Sequence, residues 1–259
     1  MATEYQLSVT PVKVTELPPE DKLIAQGHAI MDTTDKWKQG KTYHETVRTY
    51  SRNKFKGETA NWHCRVSEHG SEDGTFEEFW NLLAGNKGEN EVNYVEVVEK
   101  ATLVKQLSPT QTIWCMFYKF PSPVKPRVFT VLQTIELKET SPRTGLVISI
   151  PLDLTPIPDF AKLEEKRVQG RYVSIERIKD LGDGRLEWRM ATSSKAGGLL
   201  PQSLTEMSMP SSIAHDVPGF VNWLRTLREK NDGQILQSPA LATEAAAAAA
   251  DAHAVAVEA

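Results

Sequence analysis

Cysteine is scarce in this chain of 259 residues: only Cys64 and Cys115 occur, and no Cys-x-x-Cys. Two thiols so far apart make neither a disulfide framework nor a zinc ribbon, and they read as buried free thiols. Long apolar runs are missing too. Nothing approaches the roughly 18 apolar residues needed to span a bilayer, and residues 1–22 have no apolar core of the signal-peptide kind. With no Asn-x-Ser/Thr sequon either, the expected location is cytoplasmic. Charge of one sign is lacking, since 30 Lys and Arg meet 34 Asp and Glu for a formal net charge of −4. That balance leaves no basic footprint for nucleic acid. No polybasic run of four or more occurs, so a membrane partner is expected to be transient at most. Also absent are Gly-x-Ser-x-Gly, His-Glu-x-x-His, the Walker loop and Gly-x-Gly-x-x-Gly. The sequence therefore assigns no catalytic residues, no cofactor and no metal. His63 and Cys64 are adjacent, but neighbours on a strand point to opposite faces and no third ligand has the right spacing.

What is present is patterned. Residues 198–228 read as a long amphipathic helix, with Pro201 at its start and a break expected at Pro210. Ser211 or Ser212 can cap the restart. Ile213, Val217, Phe220, Val221, Leu224 and Leu227 then form one apolar stripe. Upstream, residues 17–31 read as a first helix with Glu20 and Asp21 at its positive end. Residues 41–52 and 62–69 read as strands, with His63 and Arg65 on one face and Trp62, Cys64 and Val66 on the other. In residues 73–83, Thr75 and Glu78 make a capping box before an aromatic helix face. Residues 90–98 fit helix and strand equally. From residue 102 onward strands dominate: 110–120, 127–138, 146–152, 170–178 and, after the hairpin signal at residues 180–184, a return through Leu186, Trp188 and Met190. A short helix is expected at 159–166. The pattern amounts to about seven strands of a curved antiparallel sheet with a helix laid across it, an α+β fold. Residues 1–16 read as an N-terminal extension, 17–230 as one domain, and 231–259 as a low-complexity, alanine-rich tail without packing partners.

Three stretches resemble the START-like lipid-binding superfamily and its helix-grip fold. PSPVKPRVFTVLQ, residues 121–133, resembles that family's Pro-rich turn and strand start, with Val128 where Asp is usual. GRYVSIERI, 170–178, resembles the strand before the last hairpin, and SSKAGGLLPQSL, 193–204, the approach to the gripping helix. With WHCRVSEH and DGTFEEFW, residues 20–229 are also similar to a fungal START-like family of unknown function. The resemblance implies a hydrophobic cavity between sheet and C-terminal helix.

The expected wall is Trp114, Phe129, Val131, Ile148, Ile150, Tyr172, Trp188 and Met190 from the sheet, with Leu204, Ile213, Val217 and Phe220 from the helix. Gln133 and Glu176 are the polar candidates. An inward Glu176 needs a cation or a ligand beside it, for which Arg171 and Arg127 are the candidates; outward, it is a surface salt bridge. The expected function is binding or transfer of a sterol, phospholipid, fatty acid or similar lipid, with residues 197–198 and Pro210 as hinges. The alternative is a cyclase or hydrolase acting on a hydrophobic substrate, for which His63, Glu176 and Tyr172 are the available acid–base groups. Deleting residues 238–259 is expected to leave the melting temperature nearly unchanged in a thermal denaturation scan.

Overall fold

The computed structural model describes residues 5–231. In chain order its elements are β1 (Val12–Lys13), α1 (Glu20–Met31), a 3-10 turn at Thr34–Lys36, β2 (Lys38–Tyr43), β3 (Val47–Arg52), β4 (Trp62–His69), α2 (Phe76–Ala84), α3 (Lys87–Tyr94), β5 (Val98–Ser108) and β6 (Gln111–Tyr118). They continue with β7 (Arg127–Lys138), β8 (Thr144–Asp153), α4 (Pro158–Ala161), β9 (Val168–Gln169), β10 (Arg171–Gly182), β11 (Arg185–Lys195) and α5 (Gln202–Lys230). The strands form one sheet in the order β2-β3-β4-β11-β10-β8-β7-β6-β5, every neighbouring pair antiparallel, with β1 and β9 attached in parallel to β8 and β7. The strand count exceeds the expected seven. One reason is that residues 41–52 are a hairpin and not one strand: His44 and Glu45 take left-handed φ values of 48° and 65° and turn the chain. The ambiguous stretch 90–98 is divided between the end of α3 and the start of β5.

The two faces of the sheet are covered differently. On one, α1 packs with Leu23 and Met31 fully buried over Cys64, Ile148, Ile150 and Ile175. Gly27 makes this approach possible, because a Cβ there would lie 2.6 Å from Ile148 Cδ1. The segment read as an N-terminal extension joins the same layer, burying Leu7, Val9 and Val14. The alanine-rich tail lies outside the described residues.

On the concave face sit α2, α3 and α5. The capping box at the start of α2 is formed as expected: Thr75 Oγ1 accepts from the Glu78 amide at 3.3 Å, and Glu78 accepts from the Thr75 amide at 2.8 Å. Phe79, Leu83 and Trp80 then pack with Trp188, Val217, Phe220 and Leu224 into a closed core. The expected break at Pro210 does not occur. α5 runs unbroken through Pro210 and Pro218. A proline has a φ close to the helical value and removes one hydrogen bond, and burial of Ile213 to Leu224 holds the helix together across both sites.

The glycine pair before α5 is a fixed corner and not a free joint. Gly197 and Gly198 have φ of 70° and 62°, and a Cβ on Gly197 would collide with the Gln169 carbonyl oxygen. Gly197→Ala should therefore lose the roughly 1–2 kcal/mol that left-handed backbone costs an L-residue, plus the collision. The expected result is a melting temperature lower by several degrees in calorimetry.

Candidate functional site

Residues opposite one another in neighbouring strands share a face, so the register reads out the floor beneath α5. One row is His63, Thr192, Ser174, Ser149, Gln133 and Thr112, polar across six strands. Two residues further along each strand, the next row is Arg65, Met190, Glu176, Val147 and Ile135. The row after that, with Trp188 and Ile178, belongs to the closed core under the C-terminal half of α5. In the opposite direction lies an apolar floor of Trp114, Met116, Phe129 and Val131, with Tyr118 and Tyr172 packed against it. The concave face is apolar at both ends and polar across its middle.

A charge cluster stands on that middle band. α3 brings Lys87, and Gly88 lets the helix lie close over the Trp114 indole, where a Cβ would come within 2.6 Å of the ring. Lys87 Nζ sits 2.6 Å from one Glu176 oxygen and 2.8 Å from Glu91. The other Glu176 oxygen accepts from Trp188 Nε1 at 3.0 Å and has Arg65 Nη2 at 3.8 Å. The Arg65 guanidinium lies 3.8 Å from the centre of the Trp188 ring. Arg65, Glu176 and Lys87 are 1%, 4% and 5% exposed. Burial would push the Glu176 carboxyl up, but Lys87 and Arg65 outweigh it and hold the group below its ordinary value. Burial would likewise lower the Lys87 ammonium, and Glu176 and Glu91 keep it well above normal.

The cover contributes Asp216 from α5, close in charge terms to Arg65, Glu91 and Glu176. Burial drives its pKa up to about 7, the pull of Arg65 being opposed by the two carboxylates. Several buried polar atoms find no hydrogen bond among the described residues: both ring nitrogens of His63, Nε and Nη1 of Arg65, and Thr205 Oγ1. Tyr118, Tyr172 and Asp216 each keep part of their surface accessible. A crevice of about 50 Å³ also reaches Gln133 and Trp114 from the β5–β6 side.

α5 is fastened at both ends by polar contacts. Gln202 donates to the Ser194 carbonyl at 2.9 Å, and Glu206 accepts from Asn61 N and Nδ2 at 3.0 and 2.6 Å. At the far end Arg228 pairs with Glu78 and donates to the carbonyls of Ser71 and Glu72. Apolar fastening is uneven. Before Pro210 only Thr205 is buried, whereas Ile213, Ala214, Val217, Phe220, Val221 and Leu224 follow. Gly219 admits the Tyr94 carbonyl, which a Cβ would meet at 2.5 Å.

The structure thus gathers part of the expected wall. Trp114, Phe129, Val131 and Tyr172 share the apolar floor; Gln133, Glu176 and Met190 lie in the polar rows; Ile213 is buried in the covering helix. Ile148 and Ile150 are on the other face, under α1. β8 is apolar on both faces, and its alternation alone does not say which one looks inward. Trp188, Val217 and Phe220 are sealed in the closed core, ring against ring. Leu204 is 51% exposed and points outward. Glu176 is inward, but its cations are Lys87 and Arg65. Arg171 is exposed, and Arg127 is taken up by the Ala196 and Lys125 carbonyls. Gln133 donates to the Ala84 carbonyl at 2.8 Å. Sequence reasoning missed Lys87, Glu91, Tyr94, Thr205 and Asp216. The i,i+4 spacing of Lys87 and Glu91 was the one available signal.

Two sets of groups invite a catalytic reading. No hydrogen bond joins His63, Glu176 and Tyr172 among the described residues. Ser67, His69 and Asp73 do form a chain, with Ser67 Oγ 2.8 Å from His69 Nε2 and His69 Nδ1 2.9 Å from Asp73. Ser67 is 0% exposed, however, and the His69 ring packs tilted against Phe79. The hydroxyl is therefore out of reach of a substrate, and the chain ties β4 to the loop before α2.

The position of Asp216 fixes a pH dependence. Its folded pKa is above the 3.8 of an ordinary aspartate, so the folded state holds a proton that the unfolded chain releases. Stability from this group is then lost as pH rises from about 4 through about 7. Asp216→Asn should raise the melting temperature more at pH 8 than at pH 5, as two thermal scans would show.

No curated protein sequence matches the chain significantly. Among solved structures, human STARD10 is similar over 88% of this chain and 89% of its own, with TM-score 0.70 and 12% identity. Human StAR-related lipid transfer protein 5 is similar over 81% of this chain and 100% of its own, with TM-score 0.64 and 14% identity. A STAR-related lipid transfer protein from Xanthomonas axonopodis is similar over 73% and 98%, with TM-score 0.57 and 15% identity. These likenesses establish the START-like helix-grip fold. Residues 62–224 match the family described as "Protein of unknown function (DUF3074)", and the chain belongs to that family.

Proposed function

We propose that the protein binds an amphipathic small molecule, a sterol, phospholipid, fatty acid or similar lipid, between the concave sheet face and α5. The observation that carries this reading is the division of that face. Trp114, Met116, Phe129 and Val131 supply an apolar floor for a hydrocarbon body, and the polar row and Arg65–Glu176–Lys87 cluster supply partners for a head group. Ligand sites are commonly apolar with a few placed polar groups that fix orientation. Leaving His63 and Thr205 without hydrogen bonds costs about 1–3 kcal/mol for each group, a cost that a bound polar head would relieve. The names of the structurally similar lipid transfer proteins agree with the reading. The covering helix is thinly packed before Pro210, and those first two turns are the part able to lift.

In the cyclase or hydrolase alternative Glu176 is not available as a free base. Glu176 is fully engaged by Lys87, Trp188 and Arg65, a positioning and charge-balancing arrangement.

Native mass spectrometry of the protein from a eukaryotic host, followed by solvent extraction, tests the proposal. A discrete adduct on the order of a few hundred daltons is expected, the size a cavity of this kind holds. Tyr172→Ala, beside the apolar floor, should lose it while remaining folded. Trp188→Ala should instead cost about 3–5 kcal/mol in stability, as for a buried aromatic. An empty protein that takes up no sterol, fatty acid or phospholipid from a panel would overturn the proposal.

A further inference from the structure

The antiparallel register puts the end of β3, the start of β4, the end of β6, the start of β7, the end of β8, the start of β10 and the end of β11 at one end of the sheet. The loops there are 53–61, 119–126, 154–170 and 196–201, the last running into α5. Direct contacts tie them together. Asn61 holds Glu206 of α5, Arg127 holds the Ala196 and Lys125 carbonyls, and Gly198 lies against Val168.

This end is unlike the rest of the surface in two respects. Five of the eight large apolar side chains exposed among the described residues are here: Phe55 at 63%, Leu163 at 42%, Leu199 at 102%, Leu204 at 51% and Met207 at 78%. Interleaved with them are the exposed cations Lys54, Lys56, Lys125, Lys166 and Arg167, none of which forms an ion pair among the described residues. Of the acids on the same loops, Glu58 is paired with Arg52, Asp159 with Lys162 and Glu165 with Lys100, while Glu164 accepts from the Thr130 hydroxyl. A protein with a net charge of −4 thus carries a local surplus of free positive charge exactly where its apolar side chains protrude.

We infer that this end docks on a lipid bilayer containing anionic lipid. The five apolar side chains enter the interface between head groups and acyl chains, and the free lysines and arginine meet the negative surface potential. Charge complementarity selects this occupant: an apolar protein partner would leave the cations unmatched. The inference goes beyond ligand binding and does not require the interior to be occupied.

The test is co-sedimentation of the full chain with vesicles of phosphatidylcholine alone and with about one third phosphatidylserine. Binding to the anionic vesicles only, weakened by salt, is expected. Lys54→Ala and Lys56→Ala should each weaken it roughly fivefold, and Leu199→Asp with Met207→Asp at least about tenfold. Leu103→Asp, also exposed but on β5, should leave it unchanged, and thermal scans on each variant establish that it is folded. No binding, equal binding to both vesicles, or equal loss in Leu103→Asp would overturn the inference. A dimer in sedimentation velocity that Met207→Asp dissociates, without vesicle binding, would overturn it in favour of a second copy of the chain.

Discussion

Glu176 is a carboxylate in the middle of a sheet, under a helix, with Lys87 and Arg65 as its charge partners. Much of the surrounding architecture can be read as what this arrangement demands. Taking such ions out of water costs several kcal/mol each, and only close geometry with further hydrogen bonds recovers it. α3 has to lie where Lys87 reaches the carboxylate, which needs Gly88 against Trp114. Trp188 has to donate its indole N–H and offer its face to Arg65. α5 has to close over the cluster while bringing Asp216 near it. A sheet with well-packed apolar residues at these positions would be at least as stable. The cluster is therefore poorly explained as a device for stability alone.

Much of the fold was legible in the sequence because its signals are local. The capping box of α2, the strand at 127–138 and the hairpin after residue 180 depend on neighbours a few positions away, and each formed where expected. The failures were of two kinds. At residues 41–52, His44 and Glu45 adopt left-handed backbone without a glycine to announce it, so two strands looked like one. At Pro210 the local rule was sound, and tertiary packing overrode it: six buried residues downstream outweigh one missing hydrogen bond.

The site was legible only in part, for a physical reason. Period-2 alternation separates the faces of a strand when one face is wet, but β8 is buried on both, so Ile148 and Ile150 were indistinguishable from Val147 and Ser149. On α5 the apolar stripe located the buried side correctly, yet Asp216 lay off it. The helix is covered by α3 as well as by the sheet, and its inward arc is wider than the stripe. Glu176 could be singled out because a charge in a buried strand needs a partner. The partners came from β4 and from a helix 89 positions earlier, a pairing that no spacing rule encodes.

The uneven fastening of α5 connects the interior with the outside. Its C-terminal half is locked by Phe220, Leu224 and the Arg228–Glu78 pair, while the first turns before Pro210 rest on Thr205, Gln202 and Glu206. Polar contacts of that kind exchange readily with water, so they hold a helix in place without making its displacement expensive. The same first turns carry Leu204 and Met207 on their outer side. On the proposed reading, a lipid taken up at this end would pass head first over the apolar floor of Trp114, Phe129 and Val131 to the polar row, because a head group left among the aromatic side chains would be desolvated without partners.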